Sequence, residues 1–293
     1  MESKQLKQAT TYDEQISKLR EHGCEITDER FCKEVLAKIS YYRLSAYFLP
    51  FRIFGNKYKS DTTFSKVYNL YEFDRKLRRL IFTAIEEVEV YLRAQLSYFH
   101  AHKYGSDGYM NAVNYNKKHD HDSFLERIKE LIKVNNKSAL INHHMVNYNG
   151  KLPLWAIMEL FSFGMLSYFY IDLPKPDQKF IARDAFGTTN LNVKSWLYCC
   201  TDLRNMCAHY SRLYFRKFTA IPAKVPHIQG KERTLFAAIM ALRALYPDIQ
   251  KWNNEFMPAM MALFDEYASC IELRHIGFPD NWEDLIENEV QSE

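Results

Sequence analysis

Nine glycines and nine prolines are few for 293 residues. Their scarcity argues against a β-sandwich or barrel, whose many tight turns use both. The chain contains no P-loop, no G-x-G-x-x-G turn and no H-E-x-x-H helix, so nucleotide-driven and zinc-hydrolase chemistry have no local support. Its six cysteines include no C-x2-C pair. Cys199, Cys200 and Cys207 share one helical stretch as small core residues, which speaks against a disulfide framework and for a reducing compartment. The longest apolar runs, such as Leu160–Ile171, are interrupted by Ser and Gly and fall short of the roughly 20 residues a bilayer span needs. The opening Met-Glu-Ser-Lys-Gln-Leu-Lys-Gln has no apolar signal-peptide core. The expected protein is cytoplasmic, with no membrane partner.

What the chain does have is aromatic bulk: 20 Tyr and 20 Phe, with 47% of residues hydrophobic. With so few helix breakers, this composition reads as all-α, long helices joined by short connections. Thr11-Tyr12-Asp13-Glu14 is a capping-box pattern whose helix runs to Gly23, and Asp28 opens a second helix to about Ser40. Gly55-Asn56 marks a short hairpin, the one credible strand region. From Phe64 to Lys103 there is no Pro or Gly. An unbroken helix there would measure roughly 60 Å, so a kink or break is expected. Further helices are expected at Ser123–Val134, Ser138–Asn147 and Leu154–Ile171, with a loop at Asp172–Asp177. The next, capped by Asn190 or Asn192, extends to about Lys217. Pro222 and Pro226 mark a linker to C-terminal helices with breaks near Pro247 and Pro258, and Gly277–Trp282 reads as a docking turn. Three regions follow: an N-terminal helical region (1–62), a helical core (63–220) and a C-terminal helical region packed on it (221–293).

The stretch Leu203-Arg204-Asn205-Met206-Cys207-Ala208-His209-Tyr210-Ser211-Arg212 carries an Arg-x4-His pair. At about 100° per residue, Asn205, His209, Arg212 and Arg216 gather on one helical face, while Leu203, Met206, Tyr210, Leu213 and Tyr214 form a stripe suited to burial. The carboxylate on the polar face, Asp202, lies about two turns from His209. An imidazole among guanidinium groups and an amide makes a poor structural ion pair and a good phosphodiester grip. Arg204 lies about 140° around the wheel, within reach of the same edge through its long side chain. The bland alternative is an ordinary solvated helix face.

A second pair, Arg93 and His100, shares a face of the long helix and reads as packing, RNA contact or a second catalytic half. The acids Glu86, Glu87 and Glu89 upstream pair with arginines more often than they act as bases. Asp74-Arg75-Lys76-Leu77-Arg78-Arg79 is a charged face, either solvated surface or, through Arg75, Lys76, Arg78 and Arg79, a phosphate-backbone contact. The net charge of +3 permits nucleic-acid binding without demanding it. Tyr41, Tyr42 and Arg43 offer base stacking, although aromatics at this density are mostly core. His119-Asp120-His121-Asp122 and His143-His144 have no partners at ligand spacing, so no metal is expected.

Several of these stretches together resemble the Abi-like family, the AbiD/AbiF-type abortive-infection proteins of bacteria. They are Thr11–Gln15, Ile39–Ser45, Tyr68–Arg78, Glu86–Arg93, Leu152–Trp155 with Phe161–Gly164, Arg204–Leu213 and Gly277–Trp282. Each fragment is weak alone; their order and spacing make the match specific. The resemblance implies a HEPN-type helical bundle with additional N- and C-terminal helices. It also implies an R-x4-6-H ribonuclease motif, carried here by Arg204, Asn205 and His209. In such proteins two motifs meet across a homodimer to form one site. The family is associated with phage defence and toxin–antitoxin behaviour, and some relatives are controlled by a small noncoding RNA.

RNA can be cleaved without a metal or cofactor because its own 2′-OH attacks the adjacent phosphorus. His209 would then move protons as general acid or base. Arg204 would clamp the phosphoryl oxygens where charge grows, and Asn205 would orient one or the other. Arg212, Arg216, Arg93 and His100, with the four cations of the charged face, are the expected RNA contacts. The alternative is a non-catalytic helical module that sequesters a noncoding RNA. A third reading is a nucleotide-binding or nucleotide-modifying helical domain.

Overall fold

A computed structural model describes residues 6, 8–224 and 230–287. The protein is all-α, and among the described residues no strand forms. Helix α1 (Tyr12–Glu21) starts with the expected capping box: Glu14 N–H donates to Thr11 Oγ1 at 3.3 Å, and Thr11 N–H donates to the Glu14 carboxylate at 2.7 Å. Asp28 caps α2 (Glu29–Ile39) by accepting from Phe31 N–H at 2.8 Å. The short α3 (Tyr41–Ser45) follows Ser40, a cap residue held at φ 66°. Instead of the expected hairpin, Gly55-Asn56 turns between two residues joined by one isolated bridge, Arg52 to Tyr58.

Helix α4 (Phe64–Tyr104) is the axis of the molecule. The helix runs without the expected break. Apolar residues from Val67 through Leu77 and Val88 to Leu96 are buried along its whole length, because other helices support it from end to end. Nothing inside it removes a hydrogen bond, and Gly105 at φ 87° stops it.

Helices α5 (His121–Val134) and α6 (Ala139–Tyr148) match the expected spans. The expected helix over Leu154–Ile171 is two, α7 (Leu154–Ile157) and α8 (Phe163–Asp172). Arg93 explains the break: its Nε donates to Met158 O at 2.9 Å and its Nη2 to Phe161 O at 3.1 Å. Those carbonyls therefore need no helical donor, and Ser162 caps the new start. Helix α9 (Lys175–Phe186) begins inside the expected loop, since Pro176 in its first turn loses nothing there.

Helix α10 (Asn190–Ala208) is capped by Thr189, not by Asn190 or Asn192, and ends nine residues before the expected Lys217. Its end is a Schellman turn. Ser211 N–H donates to Met206 O at 2.8 Å, Tyr210 N–H donates to Cys207 O at 3.2 Å, and Tyr210 takes the left-handed conformation at φ 56°.

Of the expected linker, Pro226 lies outside the described residues. Helix α11 (Leu235–Ala244) is buried on nearly every side and packs on α10. It is followed by α12 (Ile249–Lys251), a wide turn at Trp252–Phe256, α13 (Met257–Glu266) and α14 (Trp282–Glu287). Pro258 sits in the first turn of α13 and breaks nothing. The docking turn is present: Gly277 has φ 85° and no room for a Cβ beside Thr234, and Phe278 and Trp282 pack on Phe264 at 5.2 and 5.4 Å.

His100 is fully buried, ringed by Tyr104, Tyr115 and Phe169, and neither ring nitrogen has a hydrogen-bond partner among the described residues. Burial lowers its pKa from 6.5 to about 4. Between those values the unfolded chain binds a proton that the folded chain refuses, so stability falls as pH drops through that window. The loss attributable to His100 should reach up to about 3 kcal/mol. Urea midpoints at about pH 7 and about pH 4.5 should converge in His100→Phe relative to the parent. An acid loss as large as the parent's would overturn this assignment.

Candidate active site at the end of α10

Asn205 and His209 are exposed, one turn apart, with His209 N–H donating to Asn205 O at 2.9 Å. His209 occupies the last cap position of α10, and among the described residues its ring takes no hydrogen bond. Arg204 is half-buried between Glu89, 3.8 Å from its Nε, and the ring of Phe82, whose centroid lies 5.9 Å from its Cζ. At that distance Glu89 makes a charge contact, not a hydrogen bond, and Nε has no hydrogen-bond partner among the described residues. Glu89 also pairs with Arg93 at 3.1 Å, so one carboxylate of α4 steadies both arginines.

The expected four-residue polar stripe does not form, because the chain leaves the helix at His209. Arg212 turns inward, donating to Ala46 O at 2.8 Å, and burial lowers its pKa. Arg216 is exposed but lies beyond Phe215, which has φ 54°. Arg93 is committed to the carbonyls between α7 and α8, and His100 is sealed in the core. Their shared face is a packing face.

The charged run of α4 divides similarly. Arg75 is held by Glu72, and Lys76 pairs with Glu266 and lies over Tyr267. Arg78 is buried against Asp74. Arg79 is exposed and makes no side-chain pair among the described residues.

A network that the sequence did not reveal fixes the turn beyond His209. Asp74 is fully buried and accepts from Tyr47 Oη at 2.7 Å, Leu213 N–H at 3.1 Å, Tyr214 N–H at 2.8 Å and Arg78. Arg78 also donates to Ser211 O at 3.2 Å, and Arg43 donates to Tyr210 O at 2.8 Å. These bonds hold Tyr210 in a backbone conformation that costs a residue bearing Cβ about 1–2 kcal/mol. The available clue was Asp74 itself, a lone acid one turn before Arg78 in a basic run.

Beside this turn opens a cleft of about 700 Å³ between α4 and the end of α10, lined by Arg43, Tyr71, Arg75, Arg79, Phe82 and Tyr210 among others, with no carboxylate in its lining among the described residues. Guanidinium groups next to aromatic faces suit a phosphate and its base. Among the described residues no cluster of His, Cys, Asp and Glu is arranged to hold a metal ion, and no helix is long and apolar enough to cross a membrane.

The fold and site thus define an all-α protein with exposed Asn205 and His209 and a half-buried Arg204 at a helix end beside a basic cleft. The Abi-like protein family model matches residues 34–215, a span containing α4, the anchoring network and all three residues. The chain belongs to the Abi-like family, which points to abortive infection. No curated protein and no solved structure gives a significant match.

Proposed function

We propose that the chain is a metal-independent endoribonuclease of the HEPN type, an abortive-infection effector in phage defence. The observation that carries this reading is the exposed His209, with Asn205 and Arg204, next to a cleft whose lining, among the described residues, holds arginines and no carboxylate. The 2′-OH of RNA supplies the nucleophile. His209 moves a proton to or from the reacting oxygens, Arg204 meets the charge growing on the phosphoryl oxygens, and Arg79 and Arg43 hold the strand in the cleft.

One subunit offers one such imidazole, whereas the reaction needs a base and an acid. A homodimer bringing two His209 and two Arg204 to one scissile bond meets that need. Exposed Phe82 and Val90, on the stretch of α4 that borders Arg204, give a second copy an apolar footing.

The purified protein should cut RNA in the presence of EDTA, leaving a cyclic phosphate and a 5′-OH, and should spare DNA of the same sequence. Cleavage that stops with EDTA, or DNA cut as fast as RNA, would refute the mechanism. The second reading is a module that binds a noncoding RNA without cutting it. The Glu89–Arg204 contact favours it, because a structural ion pair can account for that arginine. RNA retention in a gel with no product would support it.

A further inference from the structure

A second pocket lies at the other end of α4. Ser106, on its wall, is 24 positions past Phe82, which is about 35 Å along the helix axis. The pocket measures about 680 Å³, and its walls carry Trp155, Tyr148, His143, His144, Lys151 and Asp107. Trp155 is 52% exposed, whereas Trp196, Trp252 and Trp282 are at most 7% exposed. Tyr148 is 55% exposed, and its ring stands 5.6 Å from that of His143 and 5.4 Å from that of His144.

The walls are tied down by backbone bonds. Leu154 N–H donates to Ser106 O at 2.8 Å, and Tyr109 Oη donates to Leu152 O at 2.8 Å, so the segment bearing Trp155 is fixed to the loop that ends α4. A large aromatic side chain left half in water on a braced backbone has no folding role that explains its exposure.

The polar groups are set as well. His144 Nδ1 lies 2.9 Å from Leu140 O, which only accepts, so that nitrogen carries the proton and its Nε2 is left as an acceptor. The Asn147 amide donates to His143 Nδ1 at 3.2 Å, leaving Nε2 of that ring as a donor. The two rings stand 5.2 Å apart and nearly perpendicular, so each offers its Nε2 to a ligand separately. Lys151 is exposed and forms no ion pair among the described residues, so its charge is free for a phosphate. An acidic peptide would satisfy Lys151 and leave the rings idle.

We propose that this pocket is a second single-stranded RNA site, in which a base stacks on Trp155 and Tyr148 and Lys151 takes the adjoining phosphate. The choice of RNA as the polymer rests on the proposed function. The site would anchor a strand whose other end lies in the cleft beside the Tyr210 turn, at least roughly ten stacked nucleotides away at 3.4 Å each.

Trp155 is itself the probe. Titrating oligoadenylate of about twenty nucleotides into the full chain should quench tryptophan fluorescence, and equally so in His209→Ala. Trp155→Ala should weaken binding of that oligomer about tenfold by fluorescence anisotropy, and Trp155→Tyr should restore part of the loss. Lys151→Gln should lower the salt slope by about one. Cleavage of a four-nucleotide RNA at saturation should be unchanged in all three. Binding with quenching but no cleavage would defeat the nuclease reading and leave this site standing. Cleavage with no quenching and full affinity in Trp155→Ala would overturn the site alone. No RNA binding, or equal quenching by polyglutamate, would also overturn it.

Discussion

Replacing His209 by alanine should lower the rate of RNA cleavage by about 10²–10⁴-fold, the usual contribution of a positioned acid or base. The same change should leave the fold intact. The His209 ring is exposed and makes no hydrogen bond among the described residues, so its loss should move stability by no more than about 0.5 kcal/mol. Its backbone bond to Asn205 survives in alanine. Single-turnover rates and a thermal melt of the same preparation separate the two effects. If two copies form one site, mixing His209→Ala with wild type should give less activity than the wild-type fraction alone supplies. A variant that cleaves like the parent would remove His209 from the chemistry.

Asp74→Ala should cost about 3–5 kcal/mol, because it strands the buried Arg78 guanidinium without its counter-charge. It also unties Leu213 and Tyr214, whose N–H groups donate to that carboxylate. Denaturant midpoints measure the first loss. The second should appear as faster amide exchange through 210–214 in protein that is still folded, together with slower cleavage. Removing both charges with Asp74→Leu and Arg78→Leu should recover much of the stability, but not the order of the turn. If amides 210–214 stay as protected as in the parent, the network does not hold the turn.

These two substitutions also mark where the sequence was readable. Thr11 and Asp28 announce their helices through local chemistry, and α4 and α5 follow from runs without breakers. The Arg204, Asn205 and His209 positions were legible because they lie within one local stretch. The end of α10 was not. A Schellman turn is normally signalled by glycine, whereas here Tyr210 takes that conformation under bonds from Arg43 and Arg78, distant in the chain. The split between α7 and α8 was hidden for the same reason, since Arg93 reaches it from another helix. Periodicity placed Arg93 and His100 on one face, but it does not say whether a face looks inward. The Asp74 network joins α4 to a turn some 140 positions later, and no window of local sequence contains it.

The unjointed α4 carries a constraint of its own. Each added residue turns everything beyond it by about 100° and advances it by about 1.5 Å. One insertion between Asp74 and Glu89 would therefore swing the carboxylate that steadies Arg204 away from it, while the Tyr210 turn stayed with Asp74. Changes of length should be confined to the connections, and members of this family should keep the same residue count between those two acids.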